Sequence, residues 1–330
     1  MLTTVVGHYP KIPNRPRPAR LRQAIARYER GEISREELAR IEDEVTIEVI
    51  QEQVEAGIDI VSDGQIRWED DQTYIARRLH GFAINGLVRY LDTNTYFRQP
   101  VVRGQVRHPG EPFLVRDWRF AQEHSPRPVK AIVTGPVTLA RLSQDESYGS
   151  HERLVMALAE ALAPEVKALA EAGAPIVQIS EPLILWHPED LPLLRRALAT
   201  MLAGVACETA LYTWFGSIER IYPQVLELPV TTFGVDLVSQ PRNWQVLGQH
   251  PFPADRKLAA GIVDGRNTRM EQVEEIVAAV RHLSRIVPPD RLYLNPSCGL
   301  EYLPREVAQA KLQRLAEGAR AARQQLGVEA

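Results

Sequence analysis

The chain has 330 residues, of which 45% are hydrophobic and 25% charged, and its net charge is -3. These values are typical of a globular protein, and the small acidic excess argues against nucleic acid as the main partner, because phosphate binding favours a strong basic excess. No apolar run approaches the roughly 18 residues of a membrane span. The first residues lack the basic and apolar segments of a signal peptide. Two cysteines cannot form a disulfide framework, so we expect a cytoplasmic protein with neither a membrane nor a nucleic-acid partner.

Eight short apolar, β-branched segments recur along the chain, and most of them end in Gly, Pro, Asp or Asn. These predicted strands are residues 3–7, 59–63, 130–135, 175–180, 209–215, 230–235, 258–263 and 291–295. Continuous apolar runs are typical of parallel strands buried on both faces. The stretches with helical periodicity are residues 34–56, where Ser34 is the predicted N-cap and Glu37 completes a capping box, and 151–172, 188–205, 217–226, 268–287 and 304–325.

The alternation of strands and helices predicts an α/β fold, a (β/α)8 TIM barrel, as one domain over residues 1–330. A doubly wound open sheet is the alternative. Residues 86–128 interrupt the alternation with short apolar segments at 88–91, 96–97 and 101–106. They predict an antiparallel β insertion between strands two and three, which is either decoration, a lid or an oligomer contact.

In barrel enzymes the active site lies at the carboxyl ends of the strands. That rule selects the residues that follow the predicted strands: His8, Tyr9, Asp63, Gln65, Thr134, Gly135, Ser180, Glu181, Tyr212, Trp214, Asp236, Asp264, Arg266, Asn267, Asn295, Ser297 and Cys298. A packed barrel needs no such ring of polar groups, so we expect a small-molecule substrate. The expected substrate contacts are Gln65, Trp68, Ser180, Tyr212, Trp214, Asp264, Arg266, Asn267 and Asn295. A few residues of this ring will instead satisfy backbone groups of the loops.

Four of these residues are the candidates for catalysis. Cys298 is either a buried small hydrophobe or a thiolate that ligates zinc or acts as a nucleophile. Glu181 could bind an ammonium group, act as a base or cap the next helix. His8 is isolated, and such a histidine is more often a hydrogen-bonding residue than a ligand. Asp236 is a carboxylate that follows strand six.

The strand-end motifs together resemble the catalytic barrel of cobalamin-independent methionine synthase. TTVVGHYP is similar to T-T-x-G-S-[FY]-P, VSDGQIRWEDD to D-G-E-x-x-R, VTGPVTL to G-P-V-T, VQISEPLI to I-Q-I-D-E-P-A, and LNPSCGL to N-P-D-C-G-L. GIVDGRNTRMEQVEEI resembles the short, archaeal-type members of the family. The resemblance spans essentially the whole chain, in order, and it implies a methyltransferase that matches the stand-alone catalytic barrel.

The resemblance also implies a mechanism. The family binds zinc through a His-x-Cys pair after strand five, a Glu after strand six and a Cys after strand eight. Zinc lowers the pKa of the homocysteine thiol, and the thiolate takes a methyl group from methyltetrahydrofolate or, in some short members, from methylcobalamin.

The sequence departs from the family where the metal and the amino acid are held. The His-x-Cys pair falls on Tyr212 and Trp214, and the strand-six Glu falls near Asp236. The two acidic residues that hold the homocysteine amino group fall on Gln65 and Ser180. His8 replaces the Ser of G-S-[FY]-P, and Cys298 is retained. These correlated losses indicate a changed substrate.

Three hypotheses remain open on the sequence alone. The first is a methyltransferase that moves a methyl group from a folate or corrinoid donor, with a corrinoid protein as a possible partner, to a small-molecule thiol other than homocysteine. The second keeps methionine synthase activity with a rebuilt zinc site of His8, Asp236 and Cys298. The third is a metal-free relative with lyase or decarboxylase chemistry, or a non-catalytic pterin- or corrinoid-binding protein, since fold alone does not fix chemistry.

Overall fold

Strands alternate with helices along most of residues 1–13 and 19–328, which the computed structural model describes. The strands are β1 (Leu2–Thr3), β2 (His80–Arg89), β3 (Tyr96–Arg107), β4 (Ala131–Thr134), β5 (Gln144–Asp145), β6 (Ile176–Ser180), β7 (Glu208–Tyr212), β8 (Thr232–Asp236), β9 (Lys257–Val263) and β10 (Leu292–Pro296). The α-helices are α1 (Arg20–Glu29), α2 (Arg35–Glu55), α3 (Asp71–Ala76), α4 (Leu114–Glu123), α5 (Pro136–Leu142), α6 (His151–Glu171), α7 (Leu191–Met201), α8 (Arg242–Leu247), α9 (Val273–Leu283) and α10 (Arg305–Leu326). Across these described ranges, no helix is long and apolar enough to cross a membrane.

The chain divides into two compact units. The first unit contains residues 1–67, 120–130 and 234–330, and the second contains 68–119 and 131–233. In the first unit, β10 lies between β1 and β9, and all three strands run parallel. Isolated parallel bridges from Thr4 to Ile60 and from Val61 to Val129 extend this ladder to the second predicted strand and to the start of the third.

The second unit has a parallel ladder and an antiparallel hairpin. Its ladder runs β4–β6–β7, and the backbone N–H of Thr231 donates to Thr209 at 2.9 Å to continue it. The hairpin pairs β2 with β3, and β5 joins β3 in parallel. This hairpin confirms the antiparallel insertion, although it begins at His80, six residues before the predicted boundary of 86.

The burial of the parallel strands agrees with the continuous apolar runs from which they were predicted. Every residue of β4, β6, β8 and β10 is buried, as expected for parallel strands that are covered on both faces. The helices beside them present one apolar face each, and α6 buries nine residues. Ser34 caps α2 as predicted, because its side-chain oxygen accepts a hydrogen bond from the backbone of Glu37 at 3.2 Å.

The predicted strands overlap the observed pairing, with two reductions and one error among the elements. The first predicted strand, 3–7, is reduced to Thr3 of β1 and the isolated bridge at Thr4. The second predicted strand, 59–63, is reduced to the two isolated bridges at Ile60 and Val61. The predicted helix 217–226 is wrong, because that segment is turns followed by a short 3-10 helix, Gln224–Glu227. Pro223 lies within it, and proline has no N–H to donate to a helical ladder.

Candidate active site

Three strand-end loops of the first unit are joined through the backbone of the G-H-Y-P motif. The N–H of Tyr9 donates to the carbonyl of Gly64 at 3.0 Å, and the N–H of Leu300 donates to the carbonyl of His8 at 2.8 Å. The motif after strand one therefore touches the loop after strand two and the loop that carries the retained cysteine. The structure brings His8 to the cysteine loop by this backbone contact.

Cys298 is completely buried in the loop after β10. Its Sγ donates to the carbonyl of Gly299 at 3.2 Å, and Ser297 Oγ lies 3.9 Å from the sulfur. Burial raises the pKa of this thiol well above its usual value, and the negative charges of Glu301 and Asp236 raise it further. A thiol with these neighbours is held protonated, so its surroundings do not activate it as a nucleophile.

Asp236, at the end of β8, closes its own turn. Its Oδ1 accepts the backbone N–H groups of Val238 at 2.9 Å and Ser239 at 3.0 Å, and its Oδ2 accepts the hydroxyl of Ser239. The residue is 1% exposed. The predicted catalytic and metal-binding carboxylate is therefore occupied by three hydrogen bonds from the loop that follows it.

The loop after β9 contains the predicted Asp264, Arg266 and Asn267. Asp264 Oδ1 accepts the backbone N–H of Arg266 at 2.8 Å, and Asn267 Oδ1 accepts that of Arg269 at 3.0 Å. The guanidinium carbon of Arg266 lies 6.0 Å from the ring centroid of Tyr302. Two of the three side chains shape the loop, and the exposed guanidinium of Arg266 is the group that could meet a substrate anion.

Two buried amide side chains complete the polar set of the first unit. Gln65 is 2% exposed and has a left-handed backbone, with φ of 50°, while its N–H donates to Asp63 Oδ1 at 3.0 Å. Such a conformation costs about 1–3 kcal/mol in a residue other than glycine. Asn295 is 2% exposed; its amide nitrogen donates to Pro296, and its Oδ1 has no hydrogen-bond partner. A buried acceptor without a partner in the protein is able to accept a hydrogen bond from a ligand or an ordered water.

The second unit has a row of neutral side chains at the end of its ladder. Thr134, Ser180 and Tyr212 are register partners on β4, β6 and β7, so their side chains point to the same face of the sheet. Thr134 donates to the carbonyl of Asp71 at 2.8 Å, and the three residues are at most 4% exposed. Trp214, two residues after β7, is 7% exposed. The row has hydrogen-bonding groups and no charge.

Glu181 follows β6 in this unit and is fully buried. Its Oε1 accepts the N–H of Val137 at 2.9 Å, and its Oε2 accepts the N–H and the hydroxyl of Thr138 at 2.8 and 2.7 Å. A methyl group added at Gly135 would lie 2.2 Å from the Glu181 carboxyl, so glycine is required there. Burial raises the pKa of Glu181 to about 7, against these hydrogen bonds. Glu181 thus caps α5, the helix after β4, and not the helix that follows it.

Trp68 packs within the second unit. Its ring stacks on Tyr74 with centroids 4.6 Å apart and planes 6° from parallel. The guanidinium carbon of Arg78 lies 3.4 Å from the centroid of the Tyr74 ring. Trp68, which the sequence suggested as a substrate contact, is 3% exposed. The stack on Tyr74 explains why its ring is buried.

The residues present do not fit the zinc site that the resemblance implies. Trp214 has only a donor N–H and Tyr212 a phenol, where the family has imidazole and thiolate. Asp236 accepts hydrogen bonds from its own turn, as described above. Among the described residues, no group of three or more His, Cys, Asp or Glu side chains is arranged to hold a metal ion. In particular, His8, Asp236 and Cys298 are not brought together as a ligand set.

One buried ion pair was not among the residues predicted from the sequence. Lys311, on α10, is fully buried, and its ammonium group lies 2.8 Å from the carboxylate of Glu271. The signal was the position of Lys311 on the apolar face of the helix, three residues after Ala308 and four before Leu315. A lysine on such a face must be paired when it is buried.

Similar proteins cover nearly the whole length of the chain. Residues 1–321 match the family model described as the catalytic domain of cobalamin-independent synthase. The methionine synthase of Saccharolobus solfataricus is 33% identical over 326 residues, which is 98% of this chain and 95% of that protein. The methionine synthase of Sulfurisphaera tokodaii is 32% identical, over 98% of this chain and 93% of that protein.

Solved structures agree on the fold. A B12-independent methionine synthase from a Shewanella species, in complex with selenomethionine, has a TM-score of 0.85 at 24% identity and covers 99% of both chains. A methyltransferase from Methanosarcina mazei has a TM-score of 0.62 at 17% identity, over 99% of this chain and 94% of that one. The resemblance drawn from the strand-end motifs is confirmed: the chain belongs to the cobalamin-independent methionine synthase family and is a methyltransferase of that family.

Proposed function

We propose that the protein moves a methyl group from methyltetrahydrofolate to a small-molecule thiol that lacks the amino group of homocysteine, and that it does so without zinc. The observation that carries this proposal is the pair Gln65 and Ser180, which are 2% and 3% exposed. Both are neutral where the resemblance implies carboxylates. Each lost charge-assisted hydrogen bond to an ammonium group is worth roughly 1.5–3 kcal/mol, enough to change the preferred acceptor.

The reaction balances without a further reactant. The acceptor sulfur forms the S–CH3 bond as the N5–CH3 bond of the donor breaks, and its electron pair stays on N5. The proton of the thiol ends on N5, so the products are a thioether and tetrahydrofolate. Without zinc to lower the thiol pKa, the acceptor must be ionised by its own acidity or by solvent.

The folate is the donor that the family supports. The family description is cobalamin-independent, and it gives no support to methylcobalamin or to a corrinoid protein as a partner. The rebuilt zinc site of His8, Asp236 and Cys298 receives no support from the side-chain arrangement. No observation favours the lyase or the non-catalytic hypothesis.

Different roles follow for the predicted site residues. Asn295 Oδ1, buried and without a partner, is proposed to accept a hydrogen bond from the substrate. The uncharged row of Thr134, Ser180 and Tyr212, together with Trp214, is proposed to contact the substrate in the second unit. Asp236 holds its own loop and Glu181 holds the first turn of α5, and both are proposed to act only through these segments.

We also propose one (β/α)8 barrel domain over residues 1–330. Each unit supports it separately: the ladder of the first unit runs from Val129 through Val61 and Thr4 to β1, β10 and β9, and that of the second runs β4–β6–β7. The chain passes from one unit to the other directly before β4, between residues 130 and 131, and within β8, between residues 233 and 234. The match to the family over residues 1–321 is consistent with one domain.

The test is a reversal of specificity. The double variant Gln65→Glu, Ser180→Asp restores the two carboxylates and should raise kcat/KM for homocysteine, relative to that for 4-mercaptobutanoate, by roughly 10- to 100-fold. The two thiols differ only by the amino group. A ratio for one enzyme preparation does not depend on the fraction that is folded, so partial unfolding of the variant does not obscure the result.

Gln23→Glu is the matched control, because it adds a negative charge at an exposed position on α1. It should leave the ratio at the wild-type value. An unchanged ratio in the double variant would remove the basis for a changed acceptor.

A further inference from the structure

A buried ion pair joins α10 to the segment before α9. The ammonium group of Lys311 donates to Glu271 Oε1 at 2.9 Å, to Glu271 Oε2 at 2.8 Å and to the carbonyl of Arg269 at 2.6 Å. The lysine is fully buried and the glutamate is 7% exposed. All three protons of the ammonium group therefore have acceptors, as the burial of a charge requires.

The pair holds both ends of one loop. Glu271 Oε1 also accepts the backbone N–H of Asp264 at 2.9 Å, where the loop leaves β9. The contact with the carbonyl of Arg269 fixes the far end of the same loop. Residues 264–269, here called the clasped loop, are thus attached to Lys311 directly at one end and through Glu271 at the other.

The clasped loop covers the thiol of Cys298. The N–H of Gly265 donates to Ser297 Oγ at 3.1 Å. A methyl group added at Gly265 would lie 2.8 Å from the Sγ of Cys298 and 3.0 Å from the carbonyl of Gly299. The glycine backbone therefore lies directly against the sulfur, which has no exposed surface.

We propose that Lys311 and Glu271 are positioning residues that hold the clasped loop shut over Cys298, and that the thiol becomes accessible when this clasp is released. The ion pair links two segments that are 40 residues apart in the sequence, and it anchors both ends of a short segment. Loss of the ammonium group removes the direct anchor at Arg269 and leaves Glu271, which holds the other end at Asp264, buried without its counter-charge. Both changes lower the free energy of local opening without unfolding the unit. The proposal concerns the accessibility of a thiol and holds whichever acceptor the enzyme methylates.

The experiment measures how fast 5,5′-dithiobis(2-nitrobenzoate) modifies Cys298. The chain has two cysteines, so Cys207→Ser, at a half-buried position, leaves Cys298 as the only thiol. In that background, Lys311→Met should raise the modification rate at about pH 8 by roughly tenfold or more. Glu271→Gln keeps an acceptor for the N–H of Asp264 but weakens the ion pair, and it should give a smaller increase.

Arg323→Met is the matched control. Arg323 lies on the same helix, and its guanidinium donates to Asp59 Oδ2 at 2.8 Å and to the carbonyl of Met1 at 3.1 Å, far along the chain from the clasped loop. This variant also loses an ion pair and some stability, but it should leave the modification rate within about twofold of the wild-type rate.

Urea unfolding of each variant gives the rate expected from global unfolding alone. A rate for Lys311→Met that exceeds this value, with the control at the wild-type rate, supports the clasp. The proposal is overturned by a wild-type rate in both Lys311→Met and Glu271→Gln, or by equal acceleration in the Arg323→Met control. Should Lys311→Met fail to fold, the outcome rests on Glu271→Gln against the same control.

Discussion

The strand ends of the two units use polar side chains in different ways. In the first unit, Asp236 and Asp264 accept hydrogen bonds from the backbone of the loops that follow them. In the second unit, Thr134, Ser180 and Tyr212 form a row on one face of the ladder, in register and uncharged. A carboxylate after a strand is therefore no evidence of chemistry in this protein, and the uncharged row is the better candidate for substrate contact.

Glu181 is the exception within the second unit, and it sharpens the same lesson. It is the charged residue most deeply buried at the end of that ladder, yet its two oxygens accept three hydrogen bonds from residues 137 and 138. Its position resembles a catalytic base, whereas its contacts are those of a helix cap. Contacts distinguish the two roles, and position in the fold does not.

The largest effect that we expect is a loss of folding stability when the Glu181 carboxylate is removed. Glu181→Ala leaves the N–H groups of Val137 and Thr138 buried without an acceptor, so we expect the free energy of unfolding to fall by about 3–5 kcal/mol. Urea unfolding measures it. Glu171→Ala, at an exposed position on α6, should change the free energy by less than about 0.5 kcal/mol. A loss of activity with full stability would return Glu181 to the catalytic group.

The pH dependence of stability is the next largest effect. The pKa of Glu181 rises from 4.5 to about 7 on folding, so the folded state holds a proton that the unfolded state releases between these values. The stabilisation is fully present below pH 4.5 and is lost as the pH rises through about 7. Compared with Glu181→Gln, which cannot ionise, the wild type should lose up to about 3 kcal/mol over this range. Parallel pH profiles would contradict the raised pKa.

The smallest effect concerns Asp236. Asp236→Asn retains an oxygen for the N–H groups of Val238 and Ser239 and should cost less than about 1 kcal/mol, whereas Asp236→Ala should cost about 2 kcal/mol. Thermal unfolding separates the two variants. Both should contain the same amount of zinc as the wild type, by elemental analysis. Zinc bound by the wild type and lost in Asp236→Asn would show that this carboxylate is a ligand.

The fold could be predicted further from the sequence than the site. Continuous apolar runs end at turn residues, so seven of the eight predicted strands correspond to named strands. The strand at residues 59–63 has only two bridged residues, Ile60 and Val61, because pairing depends on neighbours that local pattern does not include. The helix predicted over 217–226 is not formed. Its apolar periodicity favoured a helix, but Pro223 has no N–H to donate to a helical ladder.

The ends of the predicted strands identified the polar residues of the candidate site, but they did not identify the hydrogen-bond partners of those residues. The partner of Glu181 lies 43 residues earlier in the chain at Thr138, and that of Lys311 lies 40 residues earlier at Glu271. Single-sequence periodicity has no information on such distant pairs. The resemblance to the family motifs implies carboxylates at Gln65 and Ser180, and the structure adds that both of these neutral residues are buried.

The most direct test of the changed acceptor is a single ratio measured on the wild-type protein. With methyltetrahydrofolate as donor, kcat/KM for 4-mercaptobutanoate is divided by kcat/KM for homocysteine. The neutral Gln65 and Ser180 predict a ratio of at least about 10, since neither residue can pair with an ammonium group. A ratio below one, with homocysteine preferred, would contradict the account and make the protein a methionine synthase that holds its substrate by other groups.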